Sequence, residues 1–440
     1  MRSVSTQIRV FRTLAASRPR LGCLLLWSGI LAGCQPDEVP ADAPPKKAST
    51  PDPGPVRFTE HLIMDGYAYP YGIWAADLDK DGDLDLTSAD YTPANDLYWF
   101  ENDGSGKFTR RFIQKDDPER LERHMVSDVN QDTHPDVVIV KNLYGHLLWF
   151  QNPGKHDTRE LWKRHVITTR LAGAYSVAVS DLDGDGDPDV AASSWRMGNQ
   201  FAWFENPGTL CNGPPTQLCY EEGREWPKHL IDANVAETRC IRVADVDGDG
   251  DEDLMGTAAA DGLVLWYENS GDPVSRPWKR HLIDDPVRPA HGNPVDMDGD
   301  GDPDLVLALG MGVRPGAEDR SGVVWYENDG TPGDGPWPRH TILEPLPGAF
   351  EAVAGDLDGD GDPDVAATAW GPAGQVVWLE NPGNPRSKWP AHSLKTSWPR
   401  ANMVIMADLD GDQDLDVAAV AEIGSNEFRW WQNQGAGAGD

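Results

Sequence analysis

Apolar residues in this chain fall in short β-type runs split by polar turns, with no helical spacing beside them. Tyr175-Ser-Val-Ala-Val-Ser180 and Val190-Ala-Ala-Ser-Ser-Trp195 are such a pair. Between them lies Asp181-Leu-Asp-Gly-Asp-Gly-Asp-Pro-Asp189. Carboxylates at positions 1, 3, 5 and 9 of this loop supply hard oxygen ligands, and position 7 can add its backbone carbonyl. Gly186, at position 6, allows the sharp turn round an ion. Position 12 is Ala192 and not Glu, which excludes an EF-hand. The stretch therefore reads as a β-hairpin closed on Ca²⁺.

Seven copies of the loop occur, starting at Asp77, Asp128, Asp181, Asp245, Asp296, Asp356 and Asp408. The candidate ligands are Asp77, Asp79, Asp81, Asp83 and Asp85 in the first copy and Asp128, Asn130, Asp132 and Asp136 in the second. Asp181, Asp183, Asp185, Asp187 and Asp189 follow in the third, and Asp245, Asp247, Asp249, Asp251 and Asp253 in the fourth. The fifth offers Asp296, Asp298, Asp300, Asp302 and Asp304, and the sixth Asp356, Asp358, Asp360, Asp362 and Asp364. Asp408, Asp410, Asp412, Asp414 and Asp416 complete the set. The second loop has Asn130 for a carboxylate and Thr133 for the turn Gly, and the seventh has Gln413 there, so five to seven structural ions are expected.

Loop starts are 51, 53, 64, 51, 60 and 52 residues apart, a period the size of a propeller blade. Two markers keep step. One is Trp-aromatic-Glu-Asn-x-Gly, as at Trp99 to Gly104 and Trp266 to Gly271, with variants from Trp149, Trp378 and Trp430. The other is a basic-His-aliphatic run, as in Trp162-Lys-Arg-His-Val-Ile167. Each unit then has four strands: one into the loop, one out, the Trp-marker strand and the His strand. Seven such antiparallel sheets predict an all-β, seven-bladed β-propeller. A His run at 58–63 precedes the first loop and none follows the last marker, so this strand is predicted to complete blade 7 beside 427–432. Ring closure removes exposed sheet edges. The 64-residue interval holds an insertion between the third and fourth strands of blade 3.

This pattern resembles the FG-GAP/VCBS-like calcium-loop propellers, the group that includes the integrin α-subunit propeller, over residues 58–433. The resemblance implies structural calcium. It leaves function open, because that group includes adhesins, lectins and a few carbohydrate-modifying enzymes.

Five arginines and a short apolar run lead to Leu31-Ala-Gly-Cys34, which resembles a bacterial lipobox. Residues 1–33 then read as a signal peptide, with Cys34 lipidated as the mature N-terminus. Gln35 after the Cys gives no inner-membrane retention signal, so the resemblance implies the outer membrane or cell surface. Residues 34–57 form the acylated Cys and a Pro/Ala-rich tether, and 434–440 a disordered tail. Cys211 and Cys219 bracket the insertion and suit a disulfide in an exported protein. Cys240 reads as a buried small apolar residue.

Net charge is −34, and 34 of the 72 acidic side chains lie in the seven loops. The acidity is mostly ligand acidity, and the sign argues against nucleic acid as a partner. The expected partner is a glycan or an extracellular protein, and the expected state a monomer.

Positions filled alike in every blade serve packing. His61, His165, His229, His281, His340 and His392 are of this kind, with Arg111 in their place after the first loop. Function is expected where blades differ, on the irregular loops opposite the calcium turns. Those loops carry Tyr69, Tyr71, Arg123, His124, Tyr175, Arg239, His291, Glu351 and Arg400 before the first strands. After the second strands they carry Tyr91, Tyr144, Trp195, Arg196, Arg314 and Trp370. Aromatic faces among cations suit a sugar ring or an acidic glycan. Tyr71, Arg123, Tyr175, Trp195, Arg196, Arg239, His291 and Trp370 are the chosen ligand-binding candidates. The leading expectation is a non-enzymatic, surface-anchored binding protein. No Gly-x-Ser-x-Gly, His-Glu-x-x-His or phosphate-cradling loop is present. The rival is a polysaccharide lyase or sugar dehydratase, with His124, His291 or Tyr175 as acid or base and Arg239 facing a substrate carboxylate.

Overall fold

The computed structural model describes residues 56–67, 69–90, 95–154, 161–210, 218–221, 223–312 and 320–435. The expected signal peptide, Cys34, most of the expected tether and residues 436–440 lie outside them. So do Tyr91, Cys211, Arg314 and the side chain of Cys219. Among the described residues no helix is long and apolar enough to cross a membrane.

Seven four-stranded antiparallel sheets form the ring. Blade 1 runs Pro70–Ala76, Asp85–Asp90, Asp96–Asn102 and Phe108–Gln114 from the inside out. The seventh sheet takes Ala401–Ala407, Asp416–Ala421 and Glu427–Asn433 from the end of the chain, and Phe58–Asp65 as its outer strand. Phe58 sits opposite Asn433 and His61 opposite Trp430, as the order of the markers required. In blade 3 the insertion forms a two-stranded hairpin, Thr209–Leu210 with Leu218–Cys219, before the outer strand Lys228–Asp232.

Burial follows strand position. The second strand of each blade is buried end to end, as in Asp136–Lys141 and Asp189–Ser194. Both its faces meet neighbouring sheets, which is why it reads as a run of small and β-branched residues without alternation. Apolar clusters fill each gap between blades: Leu86 and Phe100 of blade 1 pack with Phe428 and Trp430 of blade 7. Six inner strands are buried where they begin and more open toward the metal loops, as in Thr238–Ala244. The central channel is therefore packed shut at the end opposite those loops.

The repeated His is structural. Its ring stacks on the marker Trp of the adjoining strand, at 4.1 Å between centroids for His165 on Trp149 and 4.7 Å for His61 on Trp430. Its Nε2 meets the marker Glu or Gln, at 2.8 Å for His281 and Glu268 and 3.3 Å for His61 and Gln432. In blade 1 Arg111 pairs with Glu101 instead, at 2.5 Å. Each pair ties the outer strand to the third.

Candidate metal loops and the opposite face

Every loop shares one scaffold. In the third copy the amide of Gly186 donates to Asp181 at 3.0 Å, and that of Asp187 to Asp185 at 2.9 Å. The ninth-position aspartate accepts two backbone amides in all seven blades. For Asp189 these come from Leu182 at 3.0 Å and Asn206 at 2.7 Å. It thus pins the third strand to the loop as well as facing the ion site.

Carboxylate oxygens converge within 4.8 Å of one another in the groups Asp77–Asp79–Asp85, Asp181–Asp183–Asp189, Asp245–Asp247–Asp249, Asp296–Asp298–Asp300 and Asp356–Asp358–Asp360. Burial, then neighbouring aspartates, push the ninth-position carboxyls up, to about 8 for Asp189 and Asp253 and about 7 for Asp85. Buried Oδ1 atoms of Asp181, Asp245, Asp298 and Asp410 have no protein donor. An oxygen-only set with unsatisfied carboxylate atoms fits a hard divalent cation. These loops can hold metal ions.

The marker Asn has a role that its sequence position does not announce. In six blades its side-chain amide crosses to the preceding blade and donates to the second carbonyl of that blade's metal loop. Asn152 reaches Leu78 at 2.8 Å, Asn269 reaches Leu182 at 2.7 Å, and Asn433 reaches Leu357 at 2.7 Å. Asn102 closes the circle onto Leu409 at 2.8 Å. The only signal in the sequence was its constancy in the marker.

Blades 2 and 7 differ together at several points. Thr133 and Gln413 hold the turn at φ +76° and +78°, where the other loops use Gly, so the geometry survives at some strain. Both blades also carry Gln for the marker Glu, at Gln151 and Gln432. Gln432 donates to Asp410, placing an amide on a candidate ligand oxygen. In blade 2 Asn130 donates to Asp132 at 3.0 Å. The blade 3 insertion then covers this loop, with Leu218 donating to Asn130 at 2.7 Å and Tyr220 to Val129 at 2.9 Å.

At the other end of the channel the candidate residues separate into a plug and a rim. The plug gathers five of the eight ligand-binding candidates from different blades. Tyr71 and Tyr175 share a hydrogen bond of 2.6 Å, and Arg239 donates to Tyr175 at 3.2 Å. Arg123 crosses the axis to Glu351 at 2.6 Å, and Arg242 reaches the other Glu351 oxygen at 3.2 Å. The ring of His291 lies 5.7 Å from that of Tyr175 and 5.1 Å from Phe350. These candidates are 0–4 % exposed, so they do not form an open face as expected. His124 is buried too, its Nε2 2.7 Å from Thr87 Oγ1, and burial lowers its proton affinity to about 4.

The rim lies over the plug. Tyr69, Trp195, Met311 and Trp370 are partly exposed and pack on Tyr71, Tyr175 and Phe350. Cations stand beside them: Arg196 over Trp195 at 4.3 Å, Arg400 over Trp370 at 5.2 Å, and Arg120 over Tyr69 at 5.1 Å. Glu237 holds one sector rigid, accepting from Trp195 at 3.0 Å and Arg288 at 2.6 Å. Burial alone would raise this carboxyl, but the bonds from Arg288 and Trp195 outweigh it and hold it at about 2. Tyr144 lies on the same set of loops, half exposed.

The FG-GAP-like repeat family model matches residues 128–192, 181–256, 245–307 and 356–419, more than half of the chain. The protein belongs to the FG-GAP-like repeat family. A search of curated protein sequences finds no match. Solved structures similar to this FG-GAP propeller include an Agrocybe aegerita lectin that recognises non-reducing terminal N-acetylglucosamine. It is 17 % identical over 76 % of this chain and 81 % of that one, with a TM-score of 0.48. BBS1N, in a complex with ARL6DN, is 10 % identical over 85 % and 95 %, at 0.52. YCF48 from Cyanidioschyzon merolae is 10 % identical over 84 % and 98 %, at 0.51. At such identities the similarity is one of fold alone.

Proposed function

We propose that this FG-GAP propeller is a calcium-stiffened binding protein whose aromatic rim recognises an extracellular glycan. The observation that carries the reading is the row of partly exposed Tyr69, Trp195 and Trp370, each with an arginine over its ring. Flat apolar faces stack on sugar C–H groups, and guanidinium forks pair with carboxylate or sulfate. The buried plug keeps the rim rigid, which lowers the entropy lost on binding. Calcium fills five loops, in blades 1, 3, 4, 5 and 6, and is weak or absent in blades 2 and 7. A lipid on Cys34 and the following tether hold the propeller at the outer membrane, and Cys34→Ser would release it to the soluble fraction.

The test is a glycan array probed with wild type, Trp195→Ala and Trp370→Ala in calcium. The expected result is binding by wild type that falls at least about tenfold in each variant, the usual cost of losing a central aromatic. A blank array, or equal binding by all three, overturns the reading.

Lyase or dehydratase chemistry is the second reading, because Tyr71, Tyr175, Arg239 and His291 do converge within reach of one another. Their burial counts against it, since a reacting sugar needs contact with the acid and base. Turnover of uronic-acid polymers to unsaturated product would favour this reading.

A further inference from the structure

The plug contains more hydrogen-bond donors than the protein can satisfy. Nε of Arg123 and Nε of Arg239 are buried without a partner, and so are both ring nitrogens of His291. Tyr71 and Tyr175 bond to each other through their hydroxyls, and Arg239 also donates to Tyr175. Two hydroxyls carry two protons and their mutual bond uses one, so one O–H is left over. A neutral imidazole adds another N–H and a single acceptor. Buried polar groups left in this state destabilise the fold, so they demand a partner.

Charge points the same way. Glu351 is shared by Arg123 and Arg242, and Glu237 by Arg196, Arg239 and Arg288. Arg196 is mostly exposed, so inside the protein four guanidiniums meet two carboxylates. Two more plug carboxylates, Glu122 and Glu422, have an unpartnered oxygen, but Arg120 and each other are their main charged company. The imidazole of His291 is held neutral by burial and then by Arg123, Arg239 and Arg242, which surround it.

A single water molecule has two lone pairs and can accept from only two of these donors. An anion accepts from all of them and balances the excess charge. We propose that the plug binds one small monovalent anion, of halide size, held by the Arg123 and Arg239 Nε–H groups and His291. Arg242, which shares Glu351 with Arg123, also lines a 190 Å³ cavity with Trp74, Met125 and Val177. The three holding side chains are 0–3 % exposed beneath the rim, so a carboxylate on a polymer does not reach them and the site is independent of the glycan reading.

The test uses the full chain in saturating calcium. Crystals grown in bromide and measured at the bromine edge should show one anomalous peak within hydrogen-bond distance of Arg123 or Arg239 Nε. The melting midpoint at fixed ionic strength should be higher in chloride than in gluconate, by several degrees for wild type and by none for Arg239→Gln or His291→Phe. An absent peak overturns the proposal. So does a peak with equal midpoints in the two salts, which would mean binding at crystal concentration only. If a variant does not fold, the wild-type pair of measurements decides alone.

Discussion

The side-chain amide of Asn152 donates to the carbonyl of Leu78 at 2.8 Å, joining the third strand of blade 2 to the metal loop of blade 1. Asn381 makes the in-blade bond to Pro363 at 3.0 Å but no cross-blade bond. The pair separates the two contributions. Asn152→Ala should destabilise by about 1–3 kcal/mol more than Asn381→Ala, because it also strands a buried carbonyl. Denaturant midpoints of the two variants measure the difference, and equal costs would show that the inter-blade bond contributes nothing.

Calcium removal should lower stability steeply. Each loop held at 100 times its dissociation constant contributes about 2.7 kcal/mol to the folded state. Native mass spectrometry should count five ions. Asp181→Asn should lose one of them. Asp128→Asn should lose none, because the Asn130 amide already occupies Asp132 in the blade 2 cluster. Seven ions in the wild type would refute the special status of blades 2 and 7.

Removal of residues through Asp65 should open the ring. The strand Glu427–Asn433 would then present an unpaired edge with Trp430 uncovered, and such edges template aggregation. Light scattering should report oligomers for this truncation and a monomer for the full chain.

Acid should destabilise the protein through His124. Burial holds its ring neutral to about pH 4, against an ordinary value near 6.5. The folded value lies below the unfolded one, so the native state binds fewer protons. The stabilisation is present above about pH 6.5 and is lost as pH falls toward 4, amounting to about 3 kcal/mol. Urea midpoints at several pH values should show a shallower acid slope for His124→Gln than for wild type. Parallel slopes would mean that His124 titrates normally.

Much of this was written in the chain. Seven Asp loops fixed the number of blades, because each needs a hairpin and each hairpin a sheet. The unmatched His strand at 58–63 fixed how the ring closes, since an outer strand without a third strand of its own must borrow one. The constancy of His and Trp marked them as packing residues, and they stack as such. These are local or periodic facts, and periodicity survives in one dimension. The plug was not legible. Tyr71, Arg123, Tyr175, Arg239 and His291 lie on five blades, each five or six residues ahead of its Asp loop, but their residue types follow no repeat, and only the fold interlocks them on the axis. Their sequence context is that of surface loops. Only closure of the ring brings five inner strands to one point, where side chains too large to lie flat must fill the channel and leave solvent. The glycines and aspartates of each loop are chosen by their own turn, whereas the partner of Arg123 is chosen by a strand 228 residues away.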